Sequence, residues 1–332
     1  MSDVDKDHER QQHLRTKAWA IVRVVASIAM LAVLLPRASG YVRPLLHPAT
    51  LAWLVAAVAV TLVGVVLATL RWQRVLLALD VRSRVRTLLS HYLAGLFVSN
   101  FLPTTIGGDV LRVSRLAADN GESPRSFASV VLERLTGWLV LPVISLVALA
   151  VNPGLLRPPV DDASHLVVAI SLATLSLLVV ILVGASSPRV GRRLQARAGW
   201  LRFVNAVHLG LARFRNSPGM ALEVLVVGFA YQLAVVFAAF LSAKALGLPI
   251  SWTAVLAFMP AVAIVQVLPA PTIGGLGVRE GAFVLFLHPL GVSTDQAITL
   301  GLLVYGINLV ASLFGAPAFA VGGRHAGVSP ST

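Results

Sequence analysis

Cysteine is absent from the 332-residue chain, which excludes a disulfide framework, a thiol nucleophile and any cysteine-held metal. Charge is the next scarcity. Asp, Glu, Lys and Arg make up 12% of residues, roughly half the share found in an ordinary soluble domain. Acids are the rarer sign, with 14 Asp and Glu against 27 Lys and Arg. Carboxylate-dependent chemistry therefore has little to work with. Asp3, Asp5 and Asp7 fall in a polar tail, and Asp161-Asp162 stands alone in a loop. No catalytic residue, metal site or cofactor is read from this pattern.

Apolar surface is what the chain has in excess. Hydrophobic residues reach 57% and mean hydropathy is +0.83. A soluble domain of this length needs far more polar surface. The sequence reads as an all-α polytopic membrane protein whose first partner is the bilayer. A net charge of +13 would point to nucleic acid in a soluble protein. Here the arginines cluster between apolar segments, so the positive-inside rule accounts for them and no nucleic-acid partner is read.

A span needs roughly 20 apolar residues. Residues 18–35, 50–70, 127–150, 165–185, 220–243 and 297–321 meet that as six full spans, the first as an uncleaved anchor. Two shorter runs, 88–102 and 252–268, end at proline-marked breaks. The chain divides into a mobile tail (1–17), one transmembrane domain (18–321) and a C-terminal tail (322–332). Arg71, Arg74, Arg82, Arg84 and Arg86 are assigned to the loop after the second span, and Arg189 to Arg215 to the loop after the fourth. These loops and both termini are expected on the cytoplasmic face of a bacterial inner membrane, and the 151–164 loop outside. Trp200, Phe203, Val207, Leu211 and Phe214 recur at helical spacing beside Arg193, Arg197, Arg202 and Arg213. That pattern predicts an interfacial helix with its aromatic stripe on anionic headgroups.

One phrase occurs twice. Thr105-Ile106-Gly107-Gly108 is followed by Arg112, and Thr272-Ile273-Gly274-Gly275 by Arg279, each arginine four residues after the second glycine. Both copies follow a break at the end of an apolar run. Three spans separate them, so two re-entrant helical hairpins would be inverted relative to each other, as in many secondary transporters. Irregular backbone at membrane depth requires protein or a water-filled cavity around it.

If a helix restarts at each Gly-Gly, its unpaired first amides and positive dipole end face the break, with Arg112 or Arg279 one turn in. Converging from two sides, Thr105, Gly107, Gly108 and Arg112 with Thr272, Gly274, Gly275 and Arg279 would make an anion site suited to phosphate. The opposing reading has each arginine reach a headgroup or pair with a nearby acid, such as Arg279 with Glu280. Glu133 and Arg134 lie inside the third span, where each needs a partner on another helix. Arg134 is either a third cavity cation or half of an interhelical salt bridge. Glu133, like Asp109 and Glu280, is a counter-charge or a proton-coupling acid. Asn100 and Gln266, beside the two breaks, either bind a headgroup or satisfy unwound backbone.

The string from Asn100 through Pro103, Gly107-Gly108-Asp109 and Arg112, the Glu133-Arg134 pair, and Pro271-Thr272-Ile273-Gly274-Gly275-Leu276-Gly277-Val278-Arg279-Glu280 resemble the lysylphosphatidylglycerol synthase transmembrane-region family. The resemblance spans about 18–321. The family's first motif usually carries Gly-Glu where this chain has Gly108-Asp109. What the resemblance implies is a flippase-like protein that moves an anionic phospholipid or polyprenyl-phosphate-linked lipid between leaflets. Aminoacyl transfer belongs to a separate soluble domain in the full-length relatives and is not expected here. The alternative class is a membrane glycosyltransferase or accessory protein acting on polyprenyl-phosphate lipids. No side-chain pattern decides between a monomer and a homo-oligomer.

Overall fold

A computed structural model describes residues 25, 27–40, 47–101, 107–187, 201–267 and 276–322. Among these residues the regular structure is helical throughout. In chain order the helices are α1 (Ser27–Gly40), α2 (Pro48–Ala78), α3 (Val85–Phe101), α4 (Gly107–Asn120), α5 (Ser123–Val151), α6 (Asp161–Ala185), α7 (Leu201–Asn216), α8 (Pro218–Ala245), α9 (Trp252–Val265), α10 (Val278–Leu287), α11 (Thr294–Leu313) and α12 (Ala316–Gly322). Helix starts carry their sequence signals. Pro48 and Pro218 open α2 and α8, where a missing N–H costs nothing. Ser293 and Gln296 cap α11 reciprocally at 3.3 and 3.0 Å.

Five helices, α2, α5, α6, α8 and α11, are long and apolar enough to cross a bilayer. In α6 the most apolar stretch has a mean hydropathy of 3.0, yet only 17% of it is buried in the protein. A helix apolar all round with so little protein cover needs lipid around it. The molecule is a membrane protein.

The expected six spans are corrected in detail. The 18–35 run is described only as the short α1, and most of its first half lies outside the described residues. The 297–321 run is broken: α11 ends at Leu313 and α12 starts anew. Between them Gly315 lies so close to the Leu93 carbonyl of α3 that a Cβ would overlap it. The second span is longer than expected, running to Ala78, so Arg71 and Arg74 belong to a helix and not to a loop.

α5 forms the axis of the bundle. Its inner face joins Trp72, Val75 and Leu76 of α2 and Leu88 of α3 in one core. A second core gathers Phe258 of α9 with Phe283 and Phe286 of α10 against Leu149 and Val236. α7 is where expected, but its stripe faces inward. Leu211 is buried, Phe214 packs on the first core, and Phe203 meets Phe127 edge-on at 5.5 Å. The described part of the stripe packs on protein; Trp200, Arg193 and Arg197 fall outside the described residues.

α3 and α4 run antiparallel in contact. Gly95 faces Gly108 near the break, and further along His91 Nε2 lies 2.7 Å from Asp119 Oδ2. α9 and α10 do the same, with Phe258 stacked on Phe286 at 6.0 Å. Polar ties mark the two ends of the bundle. At one end Arg213 of α7 donates to Asp80, after α2, at 2.7 and 2.8 Å, and Arg215 donates to the Ser186 carbonyl at 3.0 Å. At the other, Asn152 after α5 donates to Thr253 of α9 at 2.9 Å.

Candidate functional site

The buried charges gather first where α2, α3, α4 and α5 meet. Glu133, 1% exposed, accepts from Arg71 Nη2 on one oxygen. Its other oxygen accepts from both terminal nitrogens of Arg112 at 3.3 Å. Arg112 also reaches Asp109 at 3.3 Å, and Arg134 grips Asp109 from outside through Nε at 3.1 Å and Nη2 at 3.0 Å. Glu133 and Arg134 thus point apart, as neighbours in mid-helix must, and each finds its partner on another helix. Arg134 is an interhelical salt bridge with its side chain 48% exposed.

Aromatic faces complete the cluster. The Arg112 guanidinium lies between Trp72 and Tyr92, at 4.2 and 4.4 Å from the ring centres. Trp72 is held by its indole N–H on Ser129 at 2.9 Å. Three guanidiniums, of Arg71, Arg112 and Arg134, face the two carboxylates of Glu133 and Asp109, leaving net positive charge. Arg71 Nε and Nη1 and Arg112 Nε have no hydrogen-bond partner among the described residues. A small pocket of about 40 Å³ opens beside Asp109, Arg112, Arg134 and Ser99.

Gly108 serves this packing. A Cβ there would overlap Ser99 Oγ and the Gly95 carbonyl, and one on Gly95 would lie 2.8 Å from Gly108 O and from Arg112 Cγ. The close approach expected toward a ligand is, at Gly108, an approach of α4 to α3. Gly107 opens α4.

The second place is a larger cavity, about 280 Å³, among α3, α8, α9, α10 and α11, near the lower end of ligand-pocket sizes. Asn100, Gln266 and Arg279 line it with Tyr231, Gln232, Tyr305 and Asn308. Asn100 and Gln266, beside the two breaks, thus face one space. Arg279 is paired: its Nε donates to Glu280 Oε1 at 3.1 Å, and its guanidinium lies 4.8 Å from the Tyr305 ring centre. Adjacent residues can meet here because they sit in the first turn of α10. Glu280 is turned back to accept from the Gly277 N–H at 2.6 Å. The helix starts at Val278, after Gly277 with φ 88°, and not at Gly275. Arg279 is therefore at the very start of α10 rather than one turn in.

The sequence-read residues divide accordingly. Arg112, Arg134, Asp109, Glu133 and Gly108 form the charge cluster; Asn100, Gln266 and Arg279 line the cavity. The two pockets are separate but share Leu96 as a wall. Thr105, Thr272, Gly274 and Gly275 lie outside the described residues. Arg71, Tyr92, Tyr231, Gln232, Tyr305 and Asn308 were missed. Gln232 and Asn308 carried a signal, as carboxamides inside apolar runs. Gly137 carried none: a Cβ there would lie 2.5 Å from Arg71 Nη1, so its absence makes room for that guanidinium.

The arrangement can bind and orient a polar group. Among the described residues no group of three or more His, Asp or Glu could hold a metal ion. The family described as "Lysylphosphatidylglycerol synthase TM region" matches residues 20–315. A UPF0104 membrane protein of Methanothermobacter thermautotrophicus is 27% identical over 297 aligned residues, covering 82% of this chain and 86% of that protein. With the match running from the first apolar helix to the end of the last long one, the chain belongs to the lysylphosphatidylglycerol synthase transmembrane-region family.

Proposed function

We propose that this protein moves a phosphate-bearing lipid between leaflets, using the 280 Å³ cavity as a station for the headgroup. The observation that carries the reading is the convergence on that one space of Asn100 from the end of α3, Gln266 from the end of α9 and Arg279 from the start of α10. In this reading α3–α4 and α9–α10 are re-entrant hairpins inserted from opposite faces. The Asp80–Arg213 tie and the Asn152–Thr253 tie support it, since the first hairpin starts beside one and the second beside the other. The termini and α7 are cytoplasmic, and α1 completes six crossings. Arg279 contacts the phosphate, and Glu133 is the counter-charge that keeps Arg71 and Arg112 buried beside the path.

The test is movement of acyl-labelled phosphatidylglycerol in proteoliposomes, read with a quencher confined to the outer leaflet. Arg279→Lys keeps the charge but loses the planar fork that grips two oxygens. It should slow movement at least tenfold while the protein stays folded. The double variant Arg279→Gln/Glu280→Gln, which leaves no buried carboxylate unpaired, should be inactive. Parent-like movement by both variants would end the proposal.

A further inference from the structure

We infer that the cavity selects a hydroxyl-rich headgroup, such as glycerol or a sugar, over an amine-bearing one; this rests on the transport reading above. Its polar lining is Asn100, Gln232, Gln266, Asn308, Tyr231 and Tyr305. Four carboxamides and two phenols each both donate and accept, and so does a hydroxyl. Three of the amides hold one position by an N–H: Asn100 on Leu96 O at 3.1 Å, Asn308 on Val304 O at 2.8 Å, and Gln232 on Gly137 O at 3.2 Å. Each keeps a second N–H and its carbonyl oxygen, a donor and an acceptor, for a ligand. Gln266 is exposed at the cavity, and no hydrogen bond occupies its side chain among the described residues.

An ammonium group has no such welcome. The carboxylate beside the cavity, Glu280, is already held by Arg279 and by the Gly277 N–H. The aromatic rings that could form a cation cage each carry a guanidinium on one face, Arg71 on Tyr231 at 4.9 Å and Arg279 on Tyr305 at 4.8 Å. Arg279 would repel a second cation and attract the phosphate.

The test separates hydroxyls from charge. Purified full-length protein is titrated with dihexanoyl phosphatidylinositol, phosphatidylglycerol, phosphatidylmethanol and phosphatidylethanolamine, with binding read by tryptophan fluorescence and native mass spectrometry. Phosphatidylmethanol has the charge of phosphatidylglycerol without its hydroxyls. The inositol and glycerol lipids should bind about tenfold tighter than phosphatidylmethanol. Gln266→Leu and Asn308→Leu should each shrink that ratio. Equal affinity for the three anionic lipids, tighter binding of the ethanolamine lipid, or no binding of any would overturn the inference. Binding with the expected order but no movement in proteoliposomes would sink the transport reading alone.

Discussion

Glu133 is the residue on which the charge cluster turns. It is the sole carboxylate reaching Arg71 among the described contacts, and it shares Arg112 with Asp109. Removing one partner of a buried pair leaves uncompensated charge and costs about 3–5 kcal/mol, whereas a half-exposed pair is worth about 0–1 kcal/mol. Glu133→Gln should therefore lower the thermal midpoint in detergent far more than Arg134→Ala. Equal losses would contradict this division. The Glu133-Arg134 pair was legible because charge inside an apolar run is costly wherever it points. Arg71 was not. An arginine after twenty apolar residues reads as the start of a cytoplasmic loop, and only the continuing buried positions Trp72, Val75 and Leu76 show that the helix goes on.

At the scale of elements, the first glycine phrase serves helix packing. In it, Gly108 lets α4 lie against Gly95 of α3. Gly108→Ala must separate the two helices, at about 1–3 kcal/mol for overpacking. Gly281, exposed in α10 with nothing within 4 Å of its Cβ position, is the matched control. Gly281→Ala should be neutral or stabilise by up to about 1 kcal/mol, since alanine is the better helix former. Thermal unfolding of both variants decides; a tolerated Gly108→Ala would remove the close-packing account. Periodicity found α7 but not its partner, because an apolar stripe states that it must be covered and is silent on whether protein or lipid covers it. The start of α10 was misplaced for a related reason. Gly-Gly signals a break, but the positive φ that sets the helix start falls at Gly277, and any of three nearby glycines could have taken it.

For the whole molecule, the polar ties give the bundle two ends, and the path of the chain between them can be followed. α2 arrives at the end marked by Asp80 and Arg213. If α3–α4 returns to that same end, α5 must leave from it and deliver Asn152 to the other, where it meets Thr253. α6 then returns, its Ser186 carbonyl held by Arg215, and α8 crosses again. If α9–α10 also returns to its own starting side, α11 begins outside. In the proposed orientation the Arg213 end, where the arginine bias lies, is cytoplasmic. With no native cysteine, single-cysteine variants need no background removal. A membrane-impermeant maleimide on intact cells should label Gly154→Cys and Asp295→Cys, and should reach Arg82→Cys, Ala118→Cys and Asn216→Cys only after permeabilisation. Ala118 decides the first hairpin, because an α3–α4 segment that spanned the bilayer would carry it outside. Asp295 decides the second by the opposite logic, since a spanning α9–α10 would leave it in the cytoplasm. Outside labelling at position 118, or its absence at 295, would break the inverted arrangement and with it the shared cavity as a path between leaflets.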